Sequence, residues 1–506
     1  MRFIELHTAT PHVRRACVAI VTAFVLASSP LVAADPTDRI PIGQGQRVFL
    51  DAPALEPATT AHVGAVSPII YLERCRGGCI VHGGGADDAK AYTSSIPPPG
   101  DSAIGEFENG MGQTGAAADA EWNAVVQCVK EVYSPFAAVV TDVKPVGSTG
   151  YHMGIVAGVP QSIGLGNGIL GISSGSSCGT PKDNGVTFSF ANAHGGMGQD
   201  RIWDLCWTVA QETAHTYSLD HAYEFADHMS ACNDAMTYRR DCGGEKFFRN
   251  LTTTCGEGAA RPCRCGVNQN AHLTLLTTFG PGTSIVPAPT VSVSSPLANG
   301  TITNGSAVAA KAFSQRGITT MELWLNGYKW ASVGGARFGA QGQPESTYSL
   351  VLPQNVPDGV IDIVVKAKDD IDRTTSSAKV TVTKGAPCAS ETTCANGQRC
   401  DAGRCLWDPP VGEIGDKCTF AQYCVTGICQ GTADQSICTT PCVPGVTGSC
   451  ENPDVFECLE QSPGHGVCWP KQNDAGGCGC ASAGDGAAPF VFGLFGVVLV
   501  LRRRRR

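Results

Sequence analysis

The sequence predicts a multidomain exported chain: an α+β domain first, an all-β sandwich second and small disulfide-rich modules last. Three observations carry this prediction. Helical and strand periodicities mix up to residue 280 and then give way to spaced strands alone. Of the 25 cysteines, 22 fall into two blocks with none between them. Both ends carry short apolar runs flanked by arginines. With 506 residues, 42% hydrophobic, 16% charged and 61 glycines, the chain suits several loop-rich domains and is neither a coiled coil nor globally disordered. The net charge of −9 includes the basic positions Arg2, Arg14, Arg15 and Arg502 to Arg506. The body between them is more acidic still, which excludes nucleic acid as a partner, because phosphate contacts need clustered Lys and Arg.

The elements follow in chain order. Arg14 and Arg15 precede the apolar run Ala16 to Leu31, and Val32-Ala33-Ala34 supplies small residues. That is the layout of a signal peptide over 1–34. Residues 35–280 read as one α+β unit. Arg47 to Leu50 and Ile69 to Leu72 are β-type runs. Trp122, Val125, Val126, Val129 and Tyr133 recur at helical spacing and predict a helix over 118–133, ended by Pro135. Strands are expected over 136–142, 151–157 and 186–193, a Gly-rich loop over 158–185, a helix over 201–217 and a Cys-rich closing segment over 242–279. Residues 281–290 read as a linker. From 291 to 384 short alternating strands, with Asn326-Gly327 as a hairpin turn, predict an Ig-like β-sandwich. Residues 388–470 are Cys-rich with few large apolar residues, so crosslinks must hold them.

Setting aside Cys17, Cys478 and Cys480 leaves ten cysteines between Cys75 and Cys265 and twelve between Cys388 and Cys468. Even counts within each block predict two separately oxidised sets in an exported protein. The tail, 476–506, combines Gly476-Gly477-Cys478-Gly479-Cys480, the apolar run Pro489 to Leu501 and five arginines. It resembles the C-terminal sorting signals of myxobacterial surface proteins, the MYXO-CTERM type. That resemblance implies an exported protein anchored at the cell surface or outer membrane, with an extracellular location as the alternative.

The stretch that carries chemistry runs from Gln211 to His221. Gln211 and His215 are four apart and share a helix face. His221 follows six residues later, so the chain must turn back. Three such donors can cap one side of a zinc ion and leave a position for water, with Glu212 placed to act as general base.

This segment resembles the HExxHxxGxxH motif of the metzincin zinc metallopeptidases. Asp234-Ala235-Met236-Thr237-Tyr238 resembles their Met-turn, and the helix–strand–strand–strand–helix order upstream suits their N-terminal subdomain. More loosely, 69–280 resembles secreted myxobacterial peptidases that carry Gln at position 211. The resemblance implies a metzincin-like α+β catalytic domain over 35–280 and a polypeptide substrate. It implies zinc on Gln211, His215 and His221, Glu212 as catalytic base, Tyr238 at the reacting carbonyl and Met236 beneath the metal. Two positions depart from the pattern. Gln211 replaces a histidine, and a neutral amide oxygen is a weaker zinc donor than imidazole. Ser218 replaces a glycine, and serine adopts a left-handed turn at a cost of roughly 1 kcal/mol. The alternative function is therefore a catalytically inactive metzincin-fold protein that binds a surface ligand.

Weaker candidates complete the survey. Asp227 and His228 could replace the missing ligand, and His152 and His194 could rim a cleft. Asp87, Asp88, Asp369, Asp370 and Asp372 invite calcium, although none of their spacings matches an EF-hand and solvated turns are the simpler reading. Gly166, Gly168 and Gly171 form a GxGxxG that opens no helix and reads as loop.

Overall fold

The computed structural model describes residues 39–41, 46–49, 66–147, 149–223, 233–239, 245–335, 346–431, 435–445, 448–462 and 465–471. The expected signal and sorting tail, Asp227, His228, Cys232 and Cys242 lie outside them. Two units are delimited, residues 1–407 and 408–506. The α+β domain, the sandwich and the first crosslinked module share the first.

The α+β domain is built on a six-stranded sheet. Its chain supplies β1 (Gln46–Phe49), β2 (Ile69–Glu73), a small accessory sheet of β3 (Cys79–Gly83), β4 (Thr93–Ser94) and β5 (Gly100–Ile104), then α1 (Asp119–Tyr133). After these come β6 (Val139–Thr141), β7 (His152–Val156), β8 (Ile169–Ser173), β9 (Val186–Ser189) and α2 (Gly198–His215). The main sheet runs β1-β8-β9-β7-β2-β6. All pairings are parallel except β8 against β9. Side chains alternate across this sheet. Ile70 and Leu72 pack with α1 and α2 on one face, while Tyr71, Met153 and Ile155 pack with Val81 and Ile104 of the accessory sheet on the other.

Helix α1 forms where its apolar period predicts: Trp122, Val125, Val126, Val129 and Tyr133 are all buried. Asp119 and Glu121 in the first turn and Lys130 in the last suit the helix dipole. Cys128–Cys206 ties α1 to α2. One expectation for the main sheet fails. The Gly-rich stretch 158–185 is not all loop, since it contains β8. The closing segment contributes β10 (Thr252–Thr253), β11 (Gln269–Asn270) and α3 (Ala271–Phe279), whose Asn270 side chain caps the helix by accepting from Leu273 N–H.

The sandwich pairs two sheets. One holds β12 (Thr290–Ser295), β13 (Ala307–Phe313) and β16 (Ser346–Val351). The other holds β14 (Thr320–Leu325), β15 (Tyr328–Gly334), β17 (Gly359–Lys368), β18 (Thr374–Ser376) and β19 (Val380–Lys384). The β14–β15 hairpin turns on Asn326 (φ 49°) and Gly327 (φ 88°), both left-handed as the Asn-Gly signal requires. The segment 281–290 is not a free linker. Gly282 N–H donates to Pro135 O, Ile285 N–H to Ser134 Oγ, and Val286 O accepts from Arg373 Nη1.

The described disulfides pair only within their block. The first block has Cys75–Cys79, Cys128–Cys206, Cys178–Cys265 and Cys255–Cys263. In the second, Cys388–Cys400 and Cys394–Cys405 precede Asp408, and four more close the second unit. Such density belongs to an exported protein. Among the described residues no helix is long and apolar enough to cross a membrane.

Candidate metal centre

Helix α2 delivers the motif. Its last two turns are buried through Gln211, Glu212 and His215. The helix stops because Ser218 turns left-handed, φ 71°. Two hydrogen bonds offset the strain: Ser218 Oγ donates to Ser177 O at 2.8 Å and lies 3.1 Å from Ser176 Oγ. The returning segment is clamped by Gln269, whose side chain bonds both Asp220 N–H (2.9 Å) and Asp220 O (2.6 Å). His221 thereby comes back onto His215.

The two imidazoles meet Nε2 to Nε2 at 3.0 Å. Their Nδ1 atoms are committed elsewhere. His215 Nδ1 lies 2.8 Å from Leu219 O. A carbonyl only accepts, so the proton sits on Nδ1. His221 Nδ1 lies 2.7 Å from Glu257 Oε1. The carboxyl of Glu257 is drawn down to about 2, first by that hydrogen bond and then by Arg261, so it too accepts. When both rings are neutral, two lone pairs face each other across 3.0 Å. That arrangement is repulsive unless a cation lies between them. Burial, then His221, holds His215 well below the ordinary imidazole value, so that ring is neutral and its Nε2 is a lone-pair donor. Two neutral imidazoles, each oriented through its other nitrogen, are the donor chemistry of zinc.

Gln211 stands one turn before His215, 1% exposed, and its Nε2 is buried without a hydrogen-bond partner. No third His, Cys, Asp or Glu donor clusters with His215 and His221 among the described residues. Among the described residues the Gln211 carboxamide, on the same helix face as His215, is the candidate for a third protein ligand. Gln211→His is expected to raise zinc affinity about tenfold or more, read by competition with a chromogenic chelator. Unchanged affinity would show that position 211 does not face the metal. Asp220, His221 and Glu257 also cluster. Arg261 bridges those two carboxylates at 2.8 Å each, so the group is an orienting network for His221 and not a second cation site.

Glu212 is fully buried and neither carboxylate oxygen has a hydrogen-bond partner. Burial pushes its carboxyl well above the usual range, and Arg47 pulls it back in part. Gly171 of β8 makes room for it: a Cβ there would come within 2.7 Å of Glu212 Cγ and Oε1. Met236 is buried in a tight turn in which Asp234 Oδ1 accepts from Met236 N–H (2.8 Å) and Asp234 O from Thr237 N–H (3.1 Å). Met236 O accepts from Ala222 N–H at 3.0 Å, which fastens this turn beside His221. Tyr238 packs on His221 with ring centroids 4.8 Å apart. Burial, then Glu212, raises its phenol, so it stays a hydroxyl donor at neutral pH.

The other candidates resolve differently. His194 and His152 are buried, not at a rim; His194 Nδ1 lies 2.9 Å from Asp204 Oδ2. Asp87 is neutralised by Lys182 at 3.1 Å and accepts from Ser95 and Ser174, leaving no calcium role. Asp369 and Asp370 are neither solvated nor cation-seeking, because Arg373 and Arg316 hold them. Glu257 carries no sequence signal, and no place at the site for Arg47 or Gly171 follows from the sequence. Glu257 and Arg261 sit on the loop closed by Cys255–Cys263, and the Cys-rich composition of 242–279 is the one sequence hint that this segment is shaped.

No family model and no curated protein matches the chain. Solved structures with local likeness include fibronectin(III)-like modules of CbhA from Clostridium thermocellum. That pair shares 16% identity over 19% of this chain and 94% of the other, with a TM-score of 0.14. SoxY from Chlorobium limicola f thiosulfatophilum is 16% identical over 22% of this chain and 94% of its own, TM-score 0.13. OgpA from Akkermansia muciniphila is 10% identical over 66% of this chain and 97% of its own, TM-score 0.14. None of them assigns an activity to this chain.

Proposed function

We propose that the chain is an exported zinc-dependent endopeptidase of metzincin type, attached to the cell envelope by its C-terminal tail. One observation carries the reading: His215 and His221 face each other through Nε2 at 3.0 Å with both Nδ1 atoms committed. Zinc, when bound, supplies a Lewis acid that polarises a scissile carbonyl and acidifies water. Gln211, His215 and His221 hold it. Glu212 takes the proton of the attacking water and passes it to the leaving amine. Tyr238 donates its hydroxyl to the developing oxyanion, and Met236 shapes the floor. A second reading, an inactive metzincin-fold adhesion or binding protein, is favoured by Gln211, since losing one imidazole weakens the metal. Metal analysis of the purified exported chain separates the two when joined to an unfolded-protein cleavage assay. The expected result is about one zinc per chain and cleavage that a chelator abolishes and zinc restores. Zinc without cleavage supports the binding protein, and no zinc removes the hydrolase.

A further inference from the structure

The two imidazoles of the pair are oriented by groups of different kinds. His215 Nδ1–H donates to Leu219 O, a neutral carbonyl inside the motif, at 2.8 Å. His221 Nδ1–H donates to Glu257 Oε1 at 2.7 Å, a carboxylate 36 positions away in the chain. The Glu257 side chain is 42% exposed, and by itself a side chain so open would exchange the ring for water. Three features keep it in place. Arg261 Nη2 donates to the same Oε1 at 2.8 Å. The loop that carries both residues is closed by Cys255–Cys263, and Cys255 and Arg261 exchange two main-chain hydrogen bonds at 3.0 and 2.7 Å. Gly256 N–H donates to His221 O at 3.0 Å, so the loop grips the main chain of the histidine whose ring Glu257 holds. That grip needs glycine: Gly256 has φ 138°, and a Cβ there would lie 2.0 Å from Ala259 O. Arg261 also steadies His221 from its other side. Its Nη2 donates to Asp220 Oδ1 at 2.8 Å, and that oxygen accepts from His221 N–H at 2.7 Å.

We infer that Glu257 is a positioning residue for the metal. It fixes His221 in the Nδ1–H form with Nε2 turned to His215, and its negative charge makes that Nε2 a stronger donor. The gain falls where it is needed. Gln211 brings only a neutral amide oxygen, a weak zinc donor, and Glu257 offsets at the last ligand of the motif what is lost at the first. The inference rests on the zinc reading of the site and adds a residue that the motif does not contain. Two substitutions separate charge from orientation. Glu257→Gln keeps an acceptor of the same length and removes the charge, whereas Glu257→Leu removes both. Arg261 keeps Asp220 as its partner in each, so neither change strands a cation.

Three measurements on the full exported chain test this. Chelator competition is expected to show zinc held about tenfold more weakly by Glu257→Gln and about 100-fold more weakly by Glu257→Leu. The midpoint of denaturant unfolding without metal is expected to be the same in wild type and Glu257→Gln. A fall in midpoint that accounts for the lost affinity overturns the positioning role, because damage to the loop then explains it. Nuclear magnetic resonance of metal-free samples with isotope-labelled histidine reads the ring directly. His221 is expected to keep its proton on Nδ1 in wild type and Glu257→Gln and to lose that preference in Glu257→Leu. An unchanged ring in Glu257→Leu overturns the orienting role. Zinc held equally by all three proteins overturns the inference and leaves the peptidase standing. No zinc on any of them overturns both.

Discussion

Glu212→Gln is expected to lower peptide hydrolysis by about 10²–10⁴-fold, the usual contribution of a positioned general base, with bound zinc unchanged. The structure makes the role separable from stability. A carboxylate kept for structure has partners, whereas both oxygens of Glu212 are buried with no hydrogen bond. Its carboxyl is pushed up by burial and only partly steadied by Arg47. An orphaned buried polar group costs about 1–3 kcal/mol. Glu212→Met, of similar length and apolar, is therefore expected to stabilise the metal-free chain by about that amount while remaining inactive. Denaturant unfolding and a cleavage assay on the same preparations check both halves. Retained activity in Glu212→Gln would remove the base, and a destabilised Glu212→Met would mean the carboxylate is structural.

The parts legible in the sequence were those specified locally. Helix α1 needed only the spacing of Trp122, Val125, Val126, Val129 and Tyr133, and all five are buried. The β14–β15 hairpin needed only Asn326-Gly327. The meeting of His215 and His221 follows from spacing, given a turn that Ser218 supplies at φ 71°. What escaped depends on distant partners. Strand β8 looked like loop because Gly171 lacks a side chain, yet it lacks one because Glu212 fills that space. Strand β13 gives a weak sequence signal because Ala310 and Ala312 are small inward residues that β propensity does not mark. Glu257 stands 36 positions from His221, and no periodicity spans that interval.

The sandwich is docked on the α+β domain through a buried charge cluster, and breaking that cluster is expected to be the most destabilising single change. Arg249 of the α+β domain and Arg316 of the sandwich are both fully buried and converge on Asp370. Arg316 Nε and Nη2 donate to its two oxygens at 2.7 and 2.8 Å, and Arg249 Nη1 lies 3.6 Å away. Arg316 also donates to Phe248 O at 3.2 Å and covers the Phe247 ring at 4.6 Å. Burial alone would raise the Asp370 carboxyl, but Arg316 and Arg249 prevail and hold it below its ordinary 3.8. Asp370→Ala leaves two guanidiniums sharing no carboxylate and is expected to cost about 3–5 kcal/mol. Arg316→Met/Asp370→Leu should recover part of this loss, because one stranded cation is gone while Arg249 remains. Because the folded value is depressed, the stabilisation from Asp370 is complete above pH 3.8 and is lost as the pH falls through the lower folded value. Acid should therefore narrow the gap between wild type and Asp370→Ala only below that range. The cluster also reaches the candidate metal centre. Arg249 N–H donates to Asp234 Oδ2 at 2.8 Å, on the carboxylate that shapes the Met236 turn. Loss of zinc retention in Asp370→Ala at temperatures where the fold persists would show that the docked sandwich supports the floor of the site. A stability change under about 1 kcal/mol would instead mean that apolar contacts, and not this ion cluster, hold the two domains together.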